Sequence, residues 1–214
     1  MPAGGGNLSF WVSHNTEEAW GHVFVEAHTV GQDDWTTLPD LNGHTSTSTG
    51  DSCPEGWREL HPFLDHFQTL NADNTCSPTG TTGSWNADSG SSGGWVQWAV
   101  DLSAYAGKQV EVSITYVSDW SVQGLGTFVD DIVVSTGEGT TSFETGMDGW
   151  TVTGWPPGSA PNSNNFVRTT AGGFPEGAAI TTEDTIYFGF GFEGIATPAT
   201  RNAVMGRAIN YLLQ

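Results

Sequence analysis

The chain has 214 residues, 29 of them glycine and ten tryptophan; only 14% are charged, yet the formal net charge is −19. Five basic residues, Arg58, Lys108, Arg168, Arg201 and Arg207, are too few to displace the counterions of a phosphate backbone. Nucleic acid is therefore all but excluded as a partner and an anionic membrane surface is disfavoured. An aromatic content of 12% separates the chain from disordered acidic sequences. The many glycines between bulky residues read as a β-sandwich, or a sandwich with a small appended unit. There is no apolar run of about 18 residues, so no membrane-spanning helix is expected. An acidic surface serves solubility outside the cell and can supply carboxylates for Ca²⁺.

Strand signals begin at once. Leu8 to Val12 and His22 to Ala27 read as a hairpin around Asn15-Thr16-Glu17-Glu18. On the second strand Val23 and Val25 share one face; His22, Phe24, Glu26 and His28 share the other. Trp35-Thr-Thr-Leu follows. Residues 40–94 form a long insertion rich in Gly, Ser, Thr, Asn and Asp, of the length at which loops are functional or peripheral. Within it Cys53 and Cys76 bracket a short apolar stretch, Leu60 to Leu70. The pair could be two free thiols; a disulfide is the better reading, and the insertion's only staple. Closing that ring contributes on the order of 3 kcal/mol. Scarce Lys with abundant Ser, Thr and Asn agrees with an oxidising, extracellular setting. His61 and His66 read as surface histidines.

The clearest strand is Val110 to Val117, with Val110, Val112, Ile114 and Tyr116 on one side and Glu111, Ser113 and Thr115 on the other. Trp95 to Leu102 and Thr127 to Val134 flank it, giving sheets with one buried and one wet face. Ser135 to Thr141 reads as a small-residue linker, and Phe143 opens a further β segment. Pro156 to Asn165 reads as loop. Thr185 to Phe192 is an apolar strand; Thr197 then caps a helix with Pro198 at its first position and Val204, Ala208 and Leu212 on one face. The expected organisation is a β-sandwich over 1–136, a second β segment over 142–183 that could complete it, and a strand plus amphipathic helix over 184–214. That appendage would dock on the sandwich or on another domain. The opening Met1-Pro-Ala-Gly-Gly-Gly lacks the pattern of a secretory signal, so the chain reads as a piece of a longer secreted precursor.

The segment Leu8-Ser-Phe-Trp, Thr16-Glu17-Glu18-Ala-Trp20, Val25-Glu26 and Trp35-Thr-Thr-Leu, closed by Val117-Ser-Asp119 and Gly126-Thr-Phe-Val-Asp130-Asp131-Ile-Val, resembles the jelly-roll modules of immune inhibitor A-type secreted peptidases. The chain as a whole is similar to the C-terminal region of secreted bacterial zinc carboxypeptidases, most specifically over Thr185 to Leu213. Related modules often read Trp-Asp after the Glu pair; here it is Trp20-Gly21. The fold implied is a mainly β, jelly-roll or MAM-like sandwich. The role implied is a non-catalytic accessory, stabilising or substrate-surface-binding region beside a catalytic domain. The alternative is a carbohydrate- or cell-surface-binding module of another secreted hydrolase.

A catalytic zinc needs His-x-x-Glu, a distant third ligand and an open position for water. His14-Asn-Thr-Glu17 is the one such tetrapeptide, and no His follows His66, so zinc and catalysis are not expected in this chain. Structural calcium fits better. Asp130 and Asp131 interrupt the apolar run Phe128 to Val134, so strict alternation points one carboxylate inward, which is costly unless it is paired or metal-bound. Glu17, Glu18 and Asp119 are the expected further ligands. Trp85, Trp95, Trp98, Trp120 and Trp155 are candidates for a sugar-stacking platform, against core and loop packing.

Overall fold

The computed structural model describes residues 1–119, 121–122, 124–153, 156, 158–159, 165–169, 179–181 and 186–188. The chain divides into two compact units, Met1–Phe166 and Val167–Gln214.

The first unit is mainly β. Its first sheet has the order β7-β1-β9, from β1 (Asn7–Asn15), β7 (Val96–Asp101) and β9 (Gly126–Val134). The second is built on β2 (His22–Thr29), which pairs along its length with β8 (Val110–Val117) and at its other edge with β3 (Thr36–Leu38) and β6 (Asp88–Ser89). All these pairings are antiparallel. Leu8, Phe10 and Val12 of β1, Val23, Val25 and Ala27 of β2, Trp98 and Val100 of β7 and Ile132 of β9 form one core between the sheets. Val110, Val112, Ile114 and Tyr116 of β8 pack against it, on the side their alternation gave them. Each large apolar side chain buried this way contributes roughly 1.5–3 kcal/mol.

The expected hairpin between the first two strands does not form. β1 and β2 lie in different sheets, and residues 16–21 cross from one to the other. This link is closed by the Thr16 hydroxyl donating to the Gly21 carbonyl at 3.0 Å and by the Gly21 amide donating to the Glu17 carbonyl at 2.7 Å. Gly21, where related modules often carry Asp, would bring a Cβ to 3.0 Å from that of Thr16.

The face of β2 expected to be wet is buried as well. Phe24 packs with Trp57, Leu64, Phe67, Trp85 and Ala87, all from the insertion, in a second core. The insertion is thus a folded cover for the sheet. It contributes β6 and a small hairpin of β4 (Thr69–Leu70) and β5 (Cys76–Ser77). Cys53 and Cys76 are joined in a disulfide, but aromatic packing holds the segment too. Gly83 shows how closely it lies, since a Cβ there would stand 2.3 Å from the Trp35 carbonyl oxygen. Beyond β9 the chain turns back, Thr141 bridges Ile132, and Phe143 and Trp150 pack against the first core.

In the second unit β10 (Ala179–Thr181) and β11 (Ile186–Phe188) pair antiparallel, Ile180 opposite Tyr187. β11 falls within the stretch read as a strand; the helix read over 197–213 lies outside the described residues. Among the described residues no helix is long and apolar enough to cross a membrane.

Candidate functional site

The outer face of the β7-β1-β9 sheet carries the most distinctive surface chemistry. Alternation along β1 turns Leu8, Phe10, Val12 and His14 inward and leaves Ser9, Trp11 and Ser13 outward. Trp11 stands opposite Asp130 of β9 on one side and Gln97 of β7 on the other. Trp95 immediately precedes β7; because Val12 pairs with Val96, Trp95 lies diagonally across from Trp11. Trp11 is 40% and Trp95 52% exposed. With Asp130 and Asp131 they line a shallow concavity of about 260 Å³.

A break in register sets this arrangement. The β1–β9 pairing shifts between Ser9 and Trp11, and Asp131 has φ 47°. That left-handed conformation disfavours most side chains, and Asp is among the few that tolerate it. The extra residue bulges outward, so Asp130 is half-buried, Asp131 is exposed and Ile132 returns to the core. Strict alternation would have sent one carboxylate inward; the bulge removes that conflict. The Asp131 amide donates to Asp130 Oδ1 at 2.8 Å. Among the described residues neither carboxylate meets a basic side chain, whereas Arg58 is paired with Asp65 in the insertion.

The other residues proposed for calcium lie elsewhere. Glu17 and Asp119 both act on the Tyr116 phenol, which burial holds above its ordinary value against a hydrogen bond with Ser118, the charges of Asp119 and Glu17 adding to the rise. Glu17 lies beyond Asn15, itself four residues and about 13 Å along β1 from Trp11. Glu18 lines a second, polar cleft of about 220 Å³ with His22, Ser46, Ser48, Asp88 and Ser89 among its walls. Among the described residues no three His, Cys, Asp or Glu side chains converge on a metal position.

Several of the histidines are internal braces. His14, the head of the zinc-like tetrapeptide, is buried, its Nε2 3.0 Å from Asp88 Oδ2 and its Nδ1 3.1 Å from the Gly90 carbonyl. It ties β1 to the insertion. His22 packs between Trp57 and Trp85; burial lowers its pKa to about 4, against the pull of Asp88, so its ring is neutral at pH 7. Glu26, beneath the insertion, accepts a bond from the Thr115 hydroxyl at 3.0 Å on Oε1, while its buried Oε2 has no partner. Burial pushes its pKa up to about 8, so at pH 7 it is mostly the neutral acid. His28 stacks on Trp35 and reaches Glu111 at 2.6 Å. Burial lowers its pKa, but the Gln32 carbonyl, Glu111 and Asp34 outweigh that and raise it. His61 and His66, read as surface residues, are half-buried; His61 Nε2 lies 2.9 Å from the Ser118 carbonyl, linking insertion to sandwich.

Of the tryptophans read as platform candidates, Trp85 and Trp98 are fully buried core residues and Trp95 is exposed; Trp120 and Trp155 lie outside the described residues. Trp11 was missed, although its odd position between Phe10 and Val12 marks an outward side chain on an alternating strand.

A 66-residue stretch of the chain is 39% identical to part of the pre-pro-metalloprotease PrtV of Vibrio cholerae serotype O1, in both strain M66-2 and strain El Tor Inaba N16961. The stretch is 27% of this chain and 7% of that protein. No family model matches the chain. No solved structure matches it.

Proposed function

We propose that this chain is a non-catalytic β-sandwich region of a secreted metalloprotease-like protein, and that the outer face of its first sheet binds the surface on which that protein acts. The observation that carries the binding role is the exposed Trp11–Trp95 pair around two carboxylates that meet no basic side chain among the described residues. Exposed aromatics of this size on a rigid sheet are costly to leave in water and are typical of recognition surfaces. The link to a metalloprotease is supported by the stretch shared with PrtV. An extracellular setting is supported by the disulfide and by the low lysine content. A zinc carboxypeptidase as the parent is the finer form of the proposal, supported by the resemblance over Thr185 to Leu213.

The test is depletion from solution by insoluble protein (cross-linked casein) and insoluble polysaccharide (chitin, cellulose). At least one matrix should retain the chain, and the double variant Trp11→Ala/Trp95→Ala should pass through it with an unchanged melting temperature. Retention by chitin or cellulose alone would favour the carbohydrate-binding alternative. Failure of every matrix, or equal retention of the double variant, would contradict a binding role for this face.

A further inference from the structure

We infer that the concavity between Trp11, Trp95, Asp130 and Asp131 takes an arginine side chain presented by a polypeptide partner. This rests on reading the face as a binding surface and goes further by naming the group bound.

The lining decides the chemistry. Carboxylates at these two positions accept hydrogen bonds, so the matching ligand donates with its polar atoms, and a positively charged donor makes the stronger bond. The two tryptophans offer π faces, the best partners for a cation and for a planar delocalised one in particular. A guanidinium satisfies both demands at once: it stacks on an indole while its fork of N–H groups reaches a carboxylate in two parallel bonds. A lysine ammonium gains the charge but neither the stacking nor the fork. A neutral pyranose could stack, but it would leave two negative charges uncompensated. The wider field agrees, since a net charge of −19 steers basic surfaces toward the chain. The two carboxylates are held ready: the Asp131 amide is bonded to Asp130 Oδ1, and the outward bulge leaves Asp131 exposed and Asp130 half-buried beside Trp11. About 260 Å³ suits one side-chain head group rather than a folded element.

The experiment titrates the full chain, followed by tryptophan fluorescence and calorimetry, with an acetylated pentapeptide bearing a central arginine. The controls are its lysine and citrulline counterparts, a chitosan hexamer, and calcium chloride. Citrulline keeps the shape of arginine and loses the charge. The arginine peptide should bind with Kd near or below ~1 mM at low salt, and more weakly as salt is raised. Citrulline should cost roughly tenfold or more, and so should Trp11→Ala or Asp130→Asn/Asp131→Asn. Asn tolerates the left-handed conformation at 131, and Asp101→Asn on the same sheet should change nothing. Equal binding of the citrulline peptide, or binding indifferent to these variants, overturns the inference. A calcium-dependent rise in melting temperature lost in Asp130→Asn/Asp131→Asn would also overturn it, by assigning the carboxylates to a metal. Binding of chitosan without the arginine peptide overturns the choice of ligand and leaves the binding face standing. No binding of any probe, together with no retention on any matrix, removes both.

Discussion

Glu26→Gln should change how stability depends on pH in a calculable way. The wild-type carboxyl is buried against Thr115 and titrates at about 8, against an ordinary value of 4.5. Its folded pKa is raised, so between those limits the unfolded chain has lost the proton that the folded chain keeps. Stability is then fully present below pH 4.5, falls as pH rises, and levels off above pH 8. Each pH unit is worth 1.36 kcal/mol, so the whole fall is about 5 kcal/mol, and about 3 kcal/mol of it has occurred by pH 7. His22 acts on the other side. Its folded pKa is lowered from 6.5 to about 4, so stability is lost as pH drops between those values, by about 3 kcal/mol. Between pH 4.5 and 6.5 the two slopes oppose one another, and the alkaline limb from 6.5 to 8 belongs to Glu26, with His28 adding in the same direction. Urea unfolding of wild type and Glu26→Gln at pH 5.5, 6.5, 7.5 and 8.5 measures this limb. Gln keeps the acceptor for Thr115 and cannot ionise, so most of the fall above pH 6.5 should disappear. An unchanged slope in the variant would refute the burial of an ionisable Glu26 as its cause.

Cys53→Ser/Cys76→Ser should lose about 3 kcal/mol, or roughly 6–12 °C in melting temperature, by calorimetry under non-reducing conditions. Trp85→Ala should cost about 3–5 kcal/mol and expose dye-binding apolar surface, because that ring meets Phe24, Phe67, Trp57 and His22 beneath the insertion. Gly83→Ala should destabilise by chemical denaturation, since its Cβ would stand 2.3 Å from backbone oxygen. His14→Ala should destabilise by about 1–3 kcal/mol, because Asp88 loses its buried partner.

Period-2 alternation made β8 legible in the sequence, Leu8 to Val12 was read as a strand within β1, and the cysteine pair stands as it was read. Three features escaped for definable reasons. The link of residues 16–21 is short enough for a hairpin, and its crossing between sheets depends on contacts with Gly90 and Ser89, some 70 residues away. The second core draws on Trp57, Leu64 and Phe67, from a segment that forms only short helical turns, and on the distant Trp85, and the face they cover on β2 mixes Phe24 with His22, Glu26 and His28. The bulge at Asp131 breaks the alternation on which the inward carboxylate was reasoned. Of the four residues lining the proposed binding face, Trp95, Asp130 and Asp131 stood among the candidates, while Trp11 was available from its position on an alternating strand.

The proposed binding face is tested most directly by the indole N–H signals of ¹⁵N-labelled protein, assigned by single Trp→Phe variants, during titration with the arginine peptide. The indoles of Trp11 and Trp95 should shift together and saturably, while those of the buried Trp57, Trp85 and Trp98 stay in place. Unmoved Trp11 and Trp95 signals at saturating peptide, or equal shifts in the buried set, would contradict recognition at this face.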